Sequence, residues 1–271
     1  MDDVNHSVTP IGGRIGLVLG AGGGAGGMWT RGVLDGLAET TGFRPEHADV
    51  LIGTSIGAIA AAGIGPFSPP PARVIDALRL ATAPLADPSP ISRSLAALRS
   101  VGGRTVALLS REGEPDPLTW VEHIEPATRA RVCSMQRFPP VRRVASIATA
   151  ANPAREIAAS AAIPFGAQRV ELDGKGHVDG AVWSVTNADL ASPHDADVLV
   201  VIAPLVTLDG GSIVSALGRH QLASELRPWH EAGKPALVFS PTAKQYATRQ
   251  ERKQHRADGL AMALAATNTG N

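Results

Sequence analysis

The chain has 271 residues, with 25 Lys and Arg against 25 Asp and Glu and a formal net charge of zero. No global field therefore draws it to nucleic acid or to an anionic membrane. A single cysteine, Cys133, excludes an intrachain disulfide and a cysteine-based metal site.

At 44% hydrophobic, the chain can bury a sizeable core. Its 29 glycines and 21 prolines are scattered among apolar runs, as loop punctuation and not as low complexity. The opening MDDVNHSVTP lacks the basic and apolar regions of a signal peptide, and residues 1–12 read as a flexible tail. No run of about 18 apolar residues is present, so no transmembrane helix is expected and a cytoplasmic location is the default. Residues 13–271 read as one domain, since no composition shift marks a boundary.

In chain order, Arg14–Gly20 (RIGLVLG) is a short buried strand. Six of the eight residues from Gly20 to Gly27 are glycine, and a helix is predicted from Met28 to Thr40 on the spacing of Val33, Leu34 and Leu37. Asp49–Gly53 is a second buried strand, and Ile56–Gly63 a small-residue helix. Strand, helix, strand, helix predicts a parallel sheet with helices on its faces. Residues 72–135 read as mostly helical, broken by loops at 83–90 and 111–117. Arg142–Ala150 reads as a strand, 155–163 as a short helix stopped by Pro164, and 168–182 as a hairpin about Asp173–Gly176. Ala196–Pro204 and Pro235–Pro241 are the last strands, with a terminal helix over 242–267 and no element assigned between 205 and 234.

Gly53-Thr54-Ser55-Ile56-Gly57 places a serine in Gly-x-Ser-x-Gly between a strand and a helix. In that context the serine occupies a sharp turn, where flanking glycines remove clashing Cβ atoms. The helix N-terminus beneath it favours developing negative charge. A nucleophilic serine needs a base. The histidines are His6, His47, His123, His177, His194, His220, His230 and His255, and none stands at a convincing strand end followed by a loop. A Ser–His–Asp triad is poorly supported, with His194 the first histidine to test. Asp179-Gly180-Ala181, at a tight turn closing a short strand, offers another base, although Asp–Gly is also a common turn pair.

Three motifs then stand in order: the glycine run Gly22–Gly27 followed by Gly32-Val33-Leu34, the elbow Gly53–Ala58, and Asp179–Ala181. Together with the segment 159–182, they resemble the patatin-like phospholipase family. The similarity is good over about residues 14–64 and 142–205. The resemblance implies a three-layer α/β sandwich with a central, mostly parallel sheet. It implies a lipid acyl hydrolase without cofactor or metal, in which Ser55 is the nucleophile and Asp179 the base. Gly22, Gly23, Gly24, Ala25, Gly26 and Gly27 would supply the oxyanion hole, and Gly53, Gly57 and Gly180 would shape the turns. The substrate it implies is a lipid or other acyl ester.

Two positions depart from the family pattern. Gly26 stands where a basic residue is common, and Thr30 where a histidine is common. A catalytically weak or inactive lipid binder on the same fold is therefore the alternative. A dinucleotide-binding protein is a further rival, since Gly20–Ala25 satisfies G-x-G-x-x-G/A after a strand. That fingerprint wants an acidic residue at the end of the second strand, and here the strand ends in glycine, threonine and serine. Transient contact with a membrane surface is assigned to the loops at 66–71 and 83–91 or to the basic stretch Lys244–Arg256.

Overall fold

The structure is a computed structural model. It describes residues 13–64, 68, 70–81, 102–109, 113, 116–121, 129–207, 213–242 and 252–268. The tail at 1–12, residues 66, 67 and 69 of the loop at 66–71, the loop 83–91 and residues 244–251 of the basic stretch lie outside these.

The sheet is mixed and mostly parallel. Its strands are β1 (Ile15–Leu19), β2 (Val50–Thr54), β3 (Arg131–Gln136), β4 (Val141–Ser146), β5 (Val170–Leu172), β6 (Lys175–Asp179), β7 (Val198–Ile202) and β8 (Ala236–Phe239). Seven follow the order β5-β6-β3-β2-β1-β7-β8, while β4 pairs with β3 off this path. Strands β3, β2, β1, β7 and β8 are parallel, and β4 and β6 run antiparallel to β3.

The helices are α1 (Gly23–Thr41), α2 (Ile56–Ala62), α3 (Ala72–Ala81), α4 (102–109), α5 (Pro153–Ala161), α6 (Ile213–Glu231) and α7 (Arg252–Asn268). They lie on both faces of the sheet. Leu17, Leu19, Val198 and Val200 point into a core shared with Val33 and Leu37 of α1, Leu78 of α3, Ile157 of α5 and Ala263 of α7. Val18, Leu199 and Val201 point the other way, against Leu222, Leu226 and Trp229 of α6. Burial on both faces is why β1 and β7 read as unbroken apolar runs and not as alternating ones.

The hairpin forms where predicted. Asp173 (φ 52°) and Gly174 (φ 72°) both lie in the left-handed region, the mirror-image turn that matches strand twist. Three expectations need correction. Residues 131–136 form a buried strand, not the end of a helical region; Val132, Cys133, Ser134 and Met135 are enclosed between neighbouring strands. The strand predicted over Arg142–Ala150 ends at Ser146, where the chain turns. The helix predicted from Met28 starts five residues earlier, inside the glycine run. In addition, α6 occupies the stretch left unassigned, and contains Gly218 and Pro228, both poor helix formers.

The sheet order places a site. Strands β2 and β3 step away from β1 on one side, and β7 and β8 on the other. The loops leaving β1 and β7 thus diverge at the carboxyl edge, the crevice where open α/β sheets bind ligands. The glycine run leaves β1 at that edge, and Ser55 leaves β2 beside it.

Candidate active site

Ser55 caps α2 directly after β2. Its backbone is at φ 58°, ψ −125°, and its carbonyl accepts from the N–H groups of Ala58 (2.9 Å) and Ile59 (3.3 Å). A side chain in this region is strained by about 1–3 kcal/mol and persists only where the surroundings hold it. One constraint is Gly57: a Cβ there would lie 2.0 Å from the Leu19 carbonyl oxygen, so only glycine lets α2 approach β1 this closely.

Asp179 arrives from the opposite direction. Each residue of β3 pairs with β4 on one side. On its other side, Arg131–Cys133 pair with the end of β2 and Ser134–Gln136 with β6. Thr54 therefore stands across Cys133, and Asp179 across Ser134. Strands β2 and β6 run toward each other along one edge of β3, and their last residues face adjacent template positions. This juxtaposition brings the Asp179 carboxyl to the Ser55 hydroxyl.

The carboxyl is buried, with 3% of the residue exposed, and burial pushes its pKa up from 3.8 to about 6. Hydrogen bonds from the Ala181 N–H (2.8 Å) and the Ser55 hydroxyl act in the opposite sense and do not cancel it. Gly180 lies against β3: a Cβ there would sit 2.2 Å from the Cys133 carbonyl oxygen.

The glycine run divides into two parts. Gly22 caps α1, and the amides of Gly23, Gly24 and Ala25 have no acceptor within the helix. The Gly26 N–H donates to the Gly22 carbonyl at 3.0 Å, which removes it from the set of free donors. A Cβ at Gly26 would meet Pro204 at 2.9 Å, so the position has no room for a basic side chain. Gly27 lies further along α1, where a Cβ would meet Ile56 at 2.8 Å.

Ser55, Asp179, Gly22 and Gly23 line one cavity of about 620 Å³. The rest of its wall is largely apolar, including Val106, Ile163, Phe165, Val182 and Leu205. Gly24, Ala25, Gly26 and Gly27 are not in the wall, nor, among the described residues, is any histidine. His194 is exposed and precedes β7, at the opposite end of the sheet from Ser55. His177 is buried on β6, its Nδ1 beside the Lys175 carbonyl, and burial lowers its pKa. His6 and His123 lie outside the described residues. Among the described residues, no cluster of His, Cys, Asp or Glu is placed to hold a metal ion, and no helix is long and apolar enough to cross a membrane. Burial raises the Cys133 thiol to about 12, which removes thiolate reactivity.

Two supports of the elbow carry no signal in the sequence. Ser160, on α5 and fully buried, accepts the Ser55 N–H at 3.1 Å through its Oγ. Asn187, itself at φ 52°, donates from Nδ2 to the Thr54 Oγ1 (3.1 Å) and the Ser184 carbonyl (2.8 Å). The loop after Asp179 is thereby clipped to the residue before Ser55. Behind it, Glu225 of α6 accepts from the Thr186 hydroxyl (2.6 Å) and the Ala188 N–H (2.9 Å). Ser160→Ala is expected to leave the elbow amide buried and unpaired. The expected loss is about 1–3 kcal/mol of stability by urea unfolding, with slower phosphonylation at Ser55 by a fluorophosphonate.

Comparisons with known proteins bear on this geometry. Residues 17–192 match the family model described as "Patatin-like phospholipase", a span that begins in β1 and takes in the glycine run, Ser55 and Asp179. No curated protein sequence matches the chain. Among solved structures, VipD from Legionella pneumophila aligns with a TM-score of 0.45 at 11% identity, covering 96% of this chain and 67% of VipD. The type III effector protein ExoU aligns with a TM-score of 0.38 at 13% identity, and the chain spans about half of it: 96% of this chain against 54% of ExoU. On the family match, which runs over more than half its length and takes in all three ordered motifs, the chain belongs to the patatin-like phospholipase family.

Proposed function

We propose that the protein hydrolyses carboxylic esters of lipids through a Ser55–Asp179 dyad. The observation that carries this reading is the meeting of Ser55 and Asp179 in an apolar cavity beside the free amides at the start of α1. The Asp179 carboxylate takes the Ser55 proton as Oγ attacks the acyl carbonyl. The carbonyl oxygen becomes an oxyanion facing the amides of Gly22 and Gly23, the two glycines of the run that line the cavity, where each donor contributes about 2.7–4 kcal/mol by analogy with other acyl-transfer sites. The positive end of the α1 dipole adds to this.

Collapse of the intermediate breaks the ester C–O bond. The leaving alkoxide takes the proton from Asp179, and the acyl group stays on Ser55. Asp179 then takes a proton from water as its oxygen attacks the acyl carbonyl; the acyl–Oγ bond breaks, the acid leaves, and Ser55 Oγ recovers the proton from Asp179. A pKa near 6 suits a group that must accept and return a proton near neutrality. No step requires a metal or cofactor.

The same geometry argues against the rivals. A buried carboxylate beside the α1 N-terminus repels the pyrophosphate that a dinucleotide site would hold there. The reading as a non-catalytic binder is motivated by the missing cation at Gly26, and the start of α1 sets Gly22 and Gly23 against the cavity of Ser55 and Asp179 without one. The test is a series of p-nitrophenyl esters of increasing chain length. Wild type is expected to hydrolyse them with kcat/KM rising with acyl length, and Ser55→Ala to fall to background. Full activity in Ser55→Ala would end this reading.

A further inference from the structure

We propose that the cavity is divided at Ser55 into an acyl side, walled by Val185, Leu205 and Leu217, and an alcohol side, walled by Ile163 and Phe165, and that Leu217 sets the acyl-chain preference. All five residues line the cavity. The assignment rests on the ester-hydrolase reading and follows from where that reaction puts its groups. A tetrahedral intermediate carries the Ser55 Oγ, the oxyanion, the alkoxy oxygen and the acyl chain on one carbon. The oxyanion faces the Gly22 and Gly23 amides. The alkoxy oxygen must lie within hydrogen-bond reach of Asp179, which hands it a proton as the C–O bond breaks. The alcohol therefore lies toward Asp179, and the acyl chain takes the direction that remains.

The walls are tied to these two landmarks by different contacts. The Asp179 N–H donates to the Ala162 carbonyl at 2.8 Å, so Ile163 and the turn carrying Phe165 begin one residue from the base's own backbone partner. Gly103 of α4 packs against the Val182 carbonyl, three residues past Asp179, so α4 closes the same side. On the other side, the Ala21 N–H donates to the Val185 carbonyl at 2.8 Å, and a Cβ at Gly22 would meet Pro204 at 2.9 Å. Val185 and Leu205 thus flank the start of the glycine run. Helix α6 covers them: a Cβ at Gly218 would lie 3.4 Å from Val206 and 3.5 Å from Val185, and Leu217 comes directly before it.

Exposure separates the two sides in the same sense. Ile163 and Phe165 are 46% and 57% exposed, whereas Val185 is 3% exposed and Leu205 and Leu217 are half-buried. The alcohol side is open, so it takes leaving groups of varied size and admits the water for deacylation. The acyl side is closed by a helix, so side-chain volume limits the chain that fits there.

Two isomeric esters distinguish the sides. Ethyl dodecanoate carries its long chain on the acyl carbon, and dodecyl acetate carries it on the alcohol. The ratio of their kcat/KM values does not depend on the fraction of enzyme that is folded. In Leu217→Trp the ratio of ethyl dodecanoate to dodecyl acetate is expected to fall about 10–200-fold, the range for an apolar pocket that loses room for a methylene. In Phe165→Ala it is expected to rise, because the long alcohol loses its contact. A second measurement needs no turnover. In a Ser55→Ala background, a diazirine at the far end of each long chain is activated by light and located by mass spectrometry. The dodecanoyl chain is expected on peptides holding Leu205 or Leu217, and the dodecyl chain on the peptide holding Ile163 and Phe165.

A ratio that falls in Phe165→Ala and not in Leu217→Trp overturns the proposal. So do labels exchanged between the two segments, or labels on neither. Each of these leaves the Ser55–Asp179 reading in place. Labels in the expected segments, with a wild type that hydrolyses neither ester, overturn that reading and leave the division of the cavity standing.

Discussion

Asp179→Asn is expected to give a protein that resists urea better than wild type at pH 8 and hydrolyses esters about 10²–10⁴-fold more slowly. Both effects come from one buried group. Burial raises the folded-state pKa from 3.8 to about 6, so the folded protein holds a proton that the unfolded chain releases. The carboxyl thus favours folding fully below pH 3.8, and that contribution is lost as pH rises through 6. By pH 8 the charge costs about 3 kcal/mol, since each tenfold change in proton affinity is worth roughly 1.4 kcal/mol. Asparagine keeps an acceptor for the Ala181 N–H and carries no charge, but it cannot take a proton from Ser55. Urea unfolding at pH 4 and pH 8 measures the first effect, with the variant's advantage near zero at pH 4. A variant that is both active and no more stable would show that Asp179 neither bears the buried charge nor acts as the base.

Gly57→Ala is expected to cost more than about 3 kcal/mol and to abolish turnover. The added methyl would lie 2.0 Å from the Leu19 carbonyl oxygen and 2.5 Å from its carbon. Both are backbone atoms of a central strand paired with β2 and β7, so neither can move without breaking the ladder. The helix must therefore lift, carrying Ser55 away from Asp179. Thermal unfolding together with titration by an active-site phosphonate checks this. A stable and fully active variant would mean that α2 tolerates displacement and that the elbow's position is not set by its contact with β1.

Much of this arrangement is legible in the sequence because local chemistry dictates it. The unbroken apolar runs of β1 and β7, the Gly-x-Ser-x-Gly turn and the Asp173–Gly174 hairpin each form for reasons contained in a few residues. What is not legible depends on distant partners. Residues 131–136 (RVCSMQ) have neither alternation nor β-branched enrichment; they are a strand because β2, β4 and β6 surround them. Yet this strand is the template that sets Ser55 beside Asp179.

Ser160 looks like any helical serine until the elbow amide is found against it. The glycine run misled in a different way. Glycine is a poor helix former, so the run reads as loop throughout. Packing against Pro204 and Ile56 nevertheless carries α1 back to Gly23. The amides beyond Ala25 are thereby removed from the candidate oxyanion hole, leaving those at its first turn.

The central claim is that Ser55 is a nucleophile activated by Asp179. Its most direct test is labelling with a fluorophosphonate across a pH series, followed by mass spectrometry of the modified peptide. One phosphonyl group is expected, on Ser55, with a rate that rises as pH increases through about 6, where the Asp179 carboxyl ionises. The label is expected to be absent in Ser55→Ala and strongly slowed in Asp179→Asn. Labelling of another serine, or of Ser55 at a rate indifferent to Asp179→Asn, would contradict the account.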